Sequence, residues 1–122
     1  DPRVVSCGYD GTVRVWDARG GTALHVFSGH SSWVYGVTTF AVNNDDVRVV
    51  SCGEDATVRV WDTAGGDAVA VSESHTAEVN CVTTFTVGGD VRVVTGGHDG
   101  TVRIWDAIKG GDALVVLRGH TR

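Results

Sequence analysis

VRVVSCGEDATVRVWD, residues 47–62, returns almost letter for letter as VRVVTGGHDGTVRIWD at 91–106 and stands earlier as PRVVSCGYDGTVRVWD at 2–17. One supersecondary unit is therefore written three times along 122 residues. Independent anchors agree on the period: Trp16, Trp61 and Trp105 lie 45 and then 44 residues apart, and His30, His75 and His120 lie 45 apart at each step. Units of this length bury their apolar faces only against neighbours, so the stable object is a stacked array, and three units sit at its lower limit. Uncovered ends are expected to expose apolar surface.

In the middle unit, runs rich in Val and Thr alternate with short clusters of Gly, Asp and Asn, and no helical period competes with them. The runs Trp33–Val42, Val47–Cys52, Thr57–Trp61 and Ala68–Ser72 read as four short antiparallel strands joined by tight turns. Four-stranded meanders repeated at this period read as blades of a β-propeller. The expected class is all-β: a partial blade over 1–28, complete blades over 29–73 and 74–118, and the start of a further repeat at 119–122. The first unit begins too late to hold its innermost strand, which leaves eleven strands in sets of three, four and four.

Finer patterns add constraints. Val34 and Val37, repeated as Val79 and Val82, are an odd number of residues apart, so a bulge in the innermost strand is needed to turn both to one face. Val47, Val49 and Val50 occupy both parities, as expected of a strand covered on both faces by adjacent blades. The turn from second to third strand carries Asp55 or Asp99, which can accept hydrogen bonds from nearby backbone N–H groups. Gly11 and Gly100 ease a positive φ there. Ala56 takes that place in the middle unit, so its turn either does without positive φ or is strained.

Ten Lys and Arg against fifteen Asp and Glu give a formal charge of −5 without a basic stripe, so nucleic acid is not an expected partner. Arg3, Arg48 and Arg92, with Arg14, Arg59 and Arg103, recur between valines and are matched by Asp17, Asp62 and Asp106, the pattern of a paired or solvated structural face. Cys7, Cys52 and Cys81 make an odd count without C-x-x-C spacing, and no apolar run is long enough for a signal peptide or membrane span. A reducing compartment, cytoplasmic or nuclear, and no membrane partner are expected. Cys7 and Cys52 hold the place taken by Gly96 in the third unit, so they read as small residues in a tight site rather than as metal or redox groups. A chain that starts at Asp1 and has no methionine is expected to be an excised or processed piece, or an incompletely recorded sequence.

These residues resemble the WD-repeat β-propeller family over essentially the whole chain. Its marks are a Gly-His pair before the first strand, Ser or Thr in the second, Asp in the following turn, and Trp-Asp closing the third. Gly29-His30, Ser51, Asp55 and Trp61-Asp62 fill those places in the middle unit; Ser74-His75, Thr95, Asp99 and Trp105-Asp106 fill them in the last, with Ser74 in place of glycine. The resemblance implies two buried hydrogen-bonded tetrads, His30, Ser51, Asp55, Trp61 and His75, Thr95, Asp99, Trp105, and an incomplete one, Ser6, Asp10 and Trp16. An imidazole serves a carboxylate with one nitrogen and a hydroxyl with the other, and the indole N–H adds a donor. Gly119-His120 opens a fourth unit. Neither end supplies the missing inner strand, so the resemblance implies a fragment of a larger ring of about seven blades.

The function so implied is a non-catalytic scaffold for other proteins or peptides, with no cofactor and no metal. Binding in the family commonly uses the face carrying the second-to-third turns and the loops entering each blade. That singles out Tyr9, Glu54 and His98, each before a turn Asp, and Trp33, Tyr35, Glu78 and Asn80 at the start of inner strands. Trp33, the one tryptophan outside the repeated Trp-Asp position, either anchors a partner or packs against a neighbouring blade. A short-repeat protein whose identical chains self-assemble is an alternative, since open flanks invite covering. A hydrolase using His30, Ser51 and Asp55 is a further one. Against it, the set recurs with Thr95 in place of Ser51 and sits beside a Trp in each unit, with no strand-turn-helix to present the hydroxyl.

Overall fold

Side chains alternate along the Val- and Thr-rich runs and the runs stop at Gly-Asp turns, which favours short antiparallel strands throughout. The computed structural model describes residues 3–43, 46–63, 68–73, 75–108 and 112–120. Among these residues there are eleven strands. β1 (Arg3–Cys7), β2 (Thr12–Asp17) and β3 (Ala23–Ser28) make one sheet; β4 (Val34–Asn43), β5 (Asp46–Gly53), β6 (Val58–Asp62) and β7 (Ala70–Ser72) a second; β8 (Val79–Val87), β9 (Asp90–Gly97), β10 (Thr101–Asp106) and β11 (Val115–Arg118) a third. Each sheet is an antiparallel meander in chain order, and β1 has no inner neighbour where β5 has β4 and β9 has β8. Ser74, with Thr121 and Arg122 of the expected fourth repeat, lies outside the described residues.

The bulge anticipated from valine spacing is present twice. Val34 pairs with Gly53 and Gly36 with Cys52, while Val79 pairs with Gly97 and Cys81 with Gly96, so Tyr35 and Asn80 are the extra residues. Beyond each bulge the alternation is reset. Val34 and Val37 therefore join one core, and Val79 and Val82 the next.

The cores lie between sheets, and each is built by the same rule. Val13, Val15 and Phe27 of the first sheet meet Val34, Val49 and Trp61 of the second. One unit on, Val50, Cys52, Val58 and Val60 of the second sheet meet Val79, Val93 and Trp105 of the third. The middle sheet is thus covered on both faces, which is why β5 is apolar at both parities and why Val49 to Cys52 are wholly buried. Phe27 stacks on Trp61 with ring centroids 5.0 Å apart, so the first two sheets share an aromatic contact.

A close cross-strand fit marks each inner hairpin. A Cβ added at Gly36 would come 3.1 Å from the Cys52 sulfur, and one added at Gly96 would come 2.9 Å from the Cys81 sulfur. The small residue and the thiol have exchanged strands between the two blades. Cys52 fills a tight site as expected, and burial pushes its thiol up to about 12. Cys81 performs the same filling from the opposite strand, although it lies exposed on the outer sheet.

The connections β1–β2, β5–β6 and β9–β10 share one geometry. A four-residue turn closes with an N–H to carbonyl bond of 3.3 Å (Gly11 to Gly8), 3.2 Å (Ala56 to Gly53) or 3.2 Å (Gly100 to Gly97). Its last residue has φ of +81° at Gly11, +68° at Ala56 and +79° at Gly100. A turn followed by one left-handed residue matches the twist of the flanking strands, so positive φ is required whatever residue stands there. The open question at Ala56 is answered: that turn is strained.

Candidate functional site

The β5–β6 turn lowers Asp55 toward the loop that enters β4, and strand alternation brings Ser51 and Trp61 to the same side. In the resulting network the His30 Nδ1–H faces the Asp55 carboxylate at 3.1 Å, and His30 Nε2 lies 2.6 Å from the Ser51 hydroxyl. The Trp61 indole donates to that hydroxyl oxygen at 2.9 Å. With the proton on Nδ1, every donor meets an acceptor: Trp61 donates to Ser51, Ser51 to His30, and His30 to Asp55. The third blade repeats the order with His75 to Asp99 at 2.9 Å, Thr95 to His75 at 2.7 Å and Trp105 to Thr95 at 2.7 Å. In the first blade Trp16 donates to Ser6 at 2.8 Å, while Asp10 accepts from the Thr12 hydroxyl at 2.7 Å and pairs with Arg14 at 3.6 Å.

Electrostatics fit this arrangement. Burial pulls the pKa of His30 and His75 below the ordinary imidazole value, outweighing the upward pull of the paired carboxylates, so both are neutral. Burial alone would raise Asp55 and Asp99. Hydrogen bonds from the Thr57 or Thr101 hydroxyl, from the Ser31 or Thr76 backbone N–H and from the histidine reverse this and hold both carboxyls below the usual range.

Two further residues join each network, a threonine and one of the recurring arginines. Thr57 donates to Asp55 from its hydroxyl at 2.8 Å, and the Arg59 Nε–H donates to the Thr57 oxygen at 3.2 Å. Thr101 and Arg103 repeat this at 2.6 and 3.0 Å, as do Thr12 and Arg14 in the first blade at 2.7 and 3.2 Å. The signal was in the chain: Asp55, Thr57, Arg59 and Trp61 are spaced by two, and their counterparts share that spacing, so they line one face of the third strand. Arg59 and Arg103 are accordingly structural.

The serine that a hydrolase would use is fully buried, with its oxygen engaged by His30 and Trp61. No substrate carbonyl can approach it, and the network acts as a brace between loop, turn and strand. Among the described residues no three His, Cys, Asp or Glu side chains converge to hold a metal ion.

The candidate binding residues occupy the rim where these turns emerge. Tyr9, in the β1–β2 turn, stacks on Trp33 of the loop entering β4, with centroids 4.4 Å apart and planes 12° from parallel. Tyr35, placed by the bulge, stands edge-on to Tyr9 at 6.5 Å and to Trp33 at 6.3 Å. Trp33 thus packs against the neighbouring blade and still keeps 42% of its surface exposed, while Tyr9 keeps 70%. Glu54 donates its backbone N–H to the Trp33 carbonyl at 2.8 Å and its carboxylate accepts from the Ser32 hydroxyl. Burial, then the carboxylates of Glu54 and Glu78, raise the Tyr35 hydroxyl above its ordinary value. One unit on, the His98 N–H donates to the Glu78 carbonyl at 2.8 Å, and the His98 ring lies 3.8 Å from the Glu78 carboxylate. Asn80 lines a recess of the third sheet together with His98.

Two antiparallel four-strand sheets, each braced by a Trp–Ser/Thr–His–Asp network and stacked face to face with each other and with a three-strand sheet of the same pattern, define blades of a β-propeller of short repeats. The family model described as WD domain, G-beta repeat matches residues 1–17, 21–62 and 66–106, and the chain belongs to this WD-repeat family. Among curated proteins it is similar to WD repeat-containing protein pop1 of Schizosaccharomyces pombe, 57% identical over 35 residues, or 29% of this chain and 4% of that protein. Topless-related protein 4 of Arabidopsis thaliana is 56% identical over 34 residues, 28% of this chain and 3% of that protein. Protein TOPLESS, also of Arabidopsis thaliana, is 50% identical over 34 residues, with the same two coverages. Each match spans about one repeat of this chain and a few per cent of the relative's length.

Proposed function

We propose that this chain supplies adjoining blades of a protein-binding scaffold and that its partner docks on the rim where the β1–β2, β5–β6 and β9–β10 turns emerge. The observation that carries this is the exposed Tyr9–Trp33–Tyr35 cluster. The braced networks hold the loops that present it, and it stands where the repeat is broken, since Glu54 and Glu78 replace Tyr9 and Trp33 one unit on. Aromatic side chains fixed by mutual packing and left half exposed are the usual anchors of protein interfaces. Panning a displayed peptide library on the wild-type chain, with counter-selection on Trp33→Ala of matched stability, tests the assignment. Peptides that need Trp33 are the expected yield, and enrichment indifferent to Trp33 would refute it.

The two outer flanks support a wider assembly. Val49 is fully buried, yet its counterpart Val4 is 50% exposed; Phe40 is 8% exposed and its counterpart Phe85 39%. The first sheet therefore shows Val4 and Trp16, the set that receives a preceding blade, while the third shows Val102, Ile104 and Leu117, the set that receives a following one. We read both flanks as covered by further blades of a longer protein in a ring of about seven. The same complementarity favours a second reading, in which identical chains stack head to tail. Light scattering of the 122-residue chain separates them: a discrete oligomer supports stacking copies, and monomer with aggregate supports the longer ring.

A further inference from the structure

We propose that the rings of Tyr9, Trp33 and Tyr35, with the carboxylates of Glu54 and Glu78, form a receptor for one cationic side chain of a partner peptide, an arginine in the first place. This rests on the scaffold reading above and names the chemistry its rim selects.

Equivalent positions in successive blades carry the inference. Tyr9, Glu54 and His98 stand at one place in the turn, and Trp33 and Glu78 at one place in the entering loop. Across the boundary between first and second blades, these two places hold rings in contact at 4.4 Å. Across the next boundary the same two places hold two glutamates. Glu54 is tied to the Trp33 carbonyl through its backbone N–H at 2.8 Å, and the carboxylates of Glu54 and Glu78 both act on the Tyr35 hydroxyl; like charges sharing one place are relieved by a cation between them. Tyr35 stands edge-on to both rings, 6.5 Å from Tyr9 and 6.3 Å from Trp33. Glu78 has the His98 ring 3.8 Å away, a partner that is charged only when protonated.

The aromatic half supplies the second attraction. One face of Tyr9 is covered by Trp33, while most of the residue is exposed, so its outer face is open to a ligand. A guanidinium stacks on such a face through the ring quadrupole and can at the same time donate in its own plane to a carboxylate. An ammonium offers a point charge without the stack, which sets arginine ahead of lysine. The formal charge of −5 draws cationic segments toward the chain as a whole.

The test uses acetyl-Gly-Arg-Gly-amide and the same peptide with citrulline, which keeps the planar shape and loses the charge. Binding is read at low salt from the Trp33 indole N–H resonance of the whole chain, assigned by its loss in Trp33→Ala. The arginine peptide is expected to shift this signal saturably, with the citrulline peptide about tenfold weaker or worse. The double variant Glu54→Gln, Glu78→Gln should lose about tenfold for the arginine peptide while its folding midpoint is unchanged or raised, since a like-charge pair is relieved. Equal binding of both peptides would overturn the charge-selective receptor and leave the scaffold reading standing. An arginine peptide that leaves the Trp33 signal unmoved, or binds the double variant as well as wild type, would overturn it also.

Discussion

Replacing Ala56 by glycine should make this protein more stable, although the substitution only removes a methyl group. Ala56 sits at φ +68°, where its counterparts Gly11 and Gly100 have +81° and +79°. A residue with a Cβ in the left-handed region costs about 1–2 kcal/mol, and glycine gives back about 0.5–1 kcal/mol through its freer unfolded chain. The net gain is about 0.5–1 kcal/mol, or about 2–4 °C in midpoint for a chain of this size. The reverse change, Gly100→Ala, should cost about 1–2 kcal/mol, because the new Cβ adds a contact to the left-handed strain. That Cβ would lie 2.9 Å from the His120 carbonyl oxygen. Urea unfolding followed by tryptophan fluorescence and circular dichroism measures both, and an unchanged slope with denaturant shows that the midpoint shift is a change in stability. An Ala56→Gly chain equal to or weaker than wild type would refute the strained-turn account.

Ser51→Ala leaves the Trp61 indole N–H and His30 Nε2 without their partner inside the core, for a loss of about 2–4 kcal/mol by chemical denaturation. Ser6→Ala, in the half-built network of the first blade, should lose about 1 kcal/mol, and equal losses would show that the full network adds nothing. Stability should fall in two stages with acid. His30 and His75 are held below the ordinary imidazole value, so the unfolded chain takes up protons first as pH drops through about 6.5. Asp55 and Asp99 are held below the ordinary carboxyl value, so a second loss begins below about pH 4. A flat urea midpoint between pH 8 and 5 would contradict the neutral, buried imidazoles. A thiol reagent at pH 8 with mass-spectrometric readout should label Cys81 at once and Cys52 only through unfolding; prompt labelling of Cys52 would deny its burial.

The strands, their grouping into blades and the bulges at Tyr35 and Asn80 were legible because they depend on local parity and turn residues. The networks of His30 and His75 were legible for another reason, since family marks fixed residues far apart in sequence. Thr57 and Arg59 carry the two-residue spacing from Asp55 and Trp61, but the recurring acids such as Asp62 offer Arg59 an equally good partner in sequence, so its bond to Thr57 needs the strand's face to be known. The stacking of Tyr9 on Trp33 could not be read, because it joins residues of different blades and neither position repeats as an aromatic. The matching of the two outer flanks likewise needed coordinates, since it depends on which parity of each strand faces the preceding blade and which the following one.

The exchange of glycine and cysteine between hairpins says where such repeats can be recombined. Joining β4 to β9 would set Gly36 opposite Gly96 and leave a hollow, whereas joining β8 to β5 would crowd Cys81 against Cys52. A crossover between blades carries each glycine with its own thiol and creates neither fault. The inner hairpin is therefore the indivisible module of this chain, and a library of shuffled blades would survive only where its seams spare it.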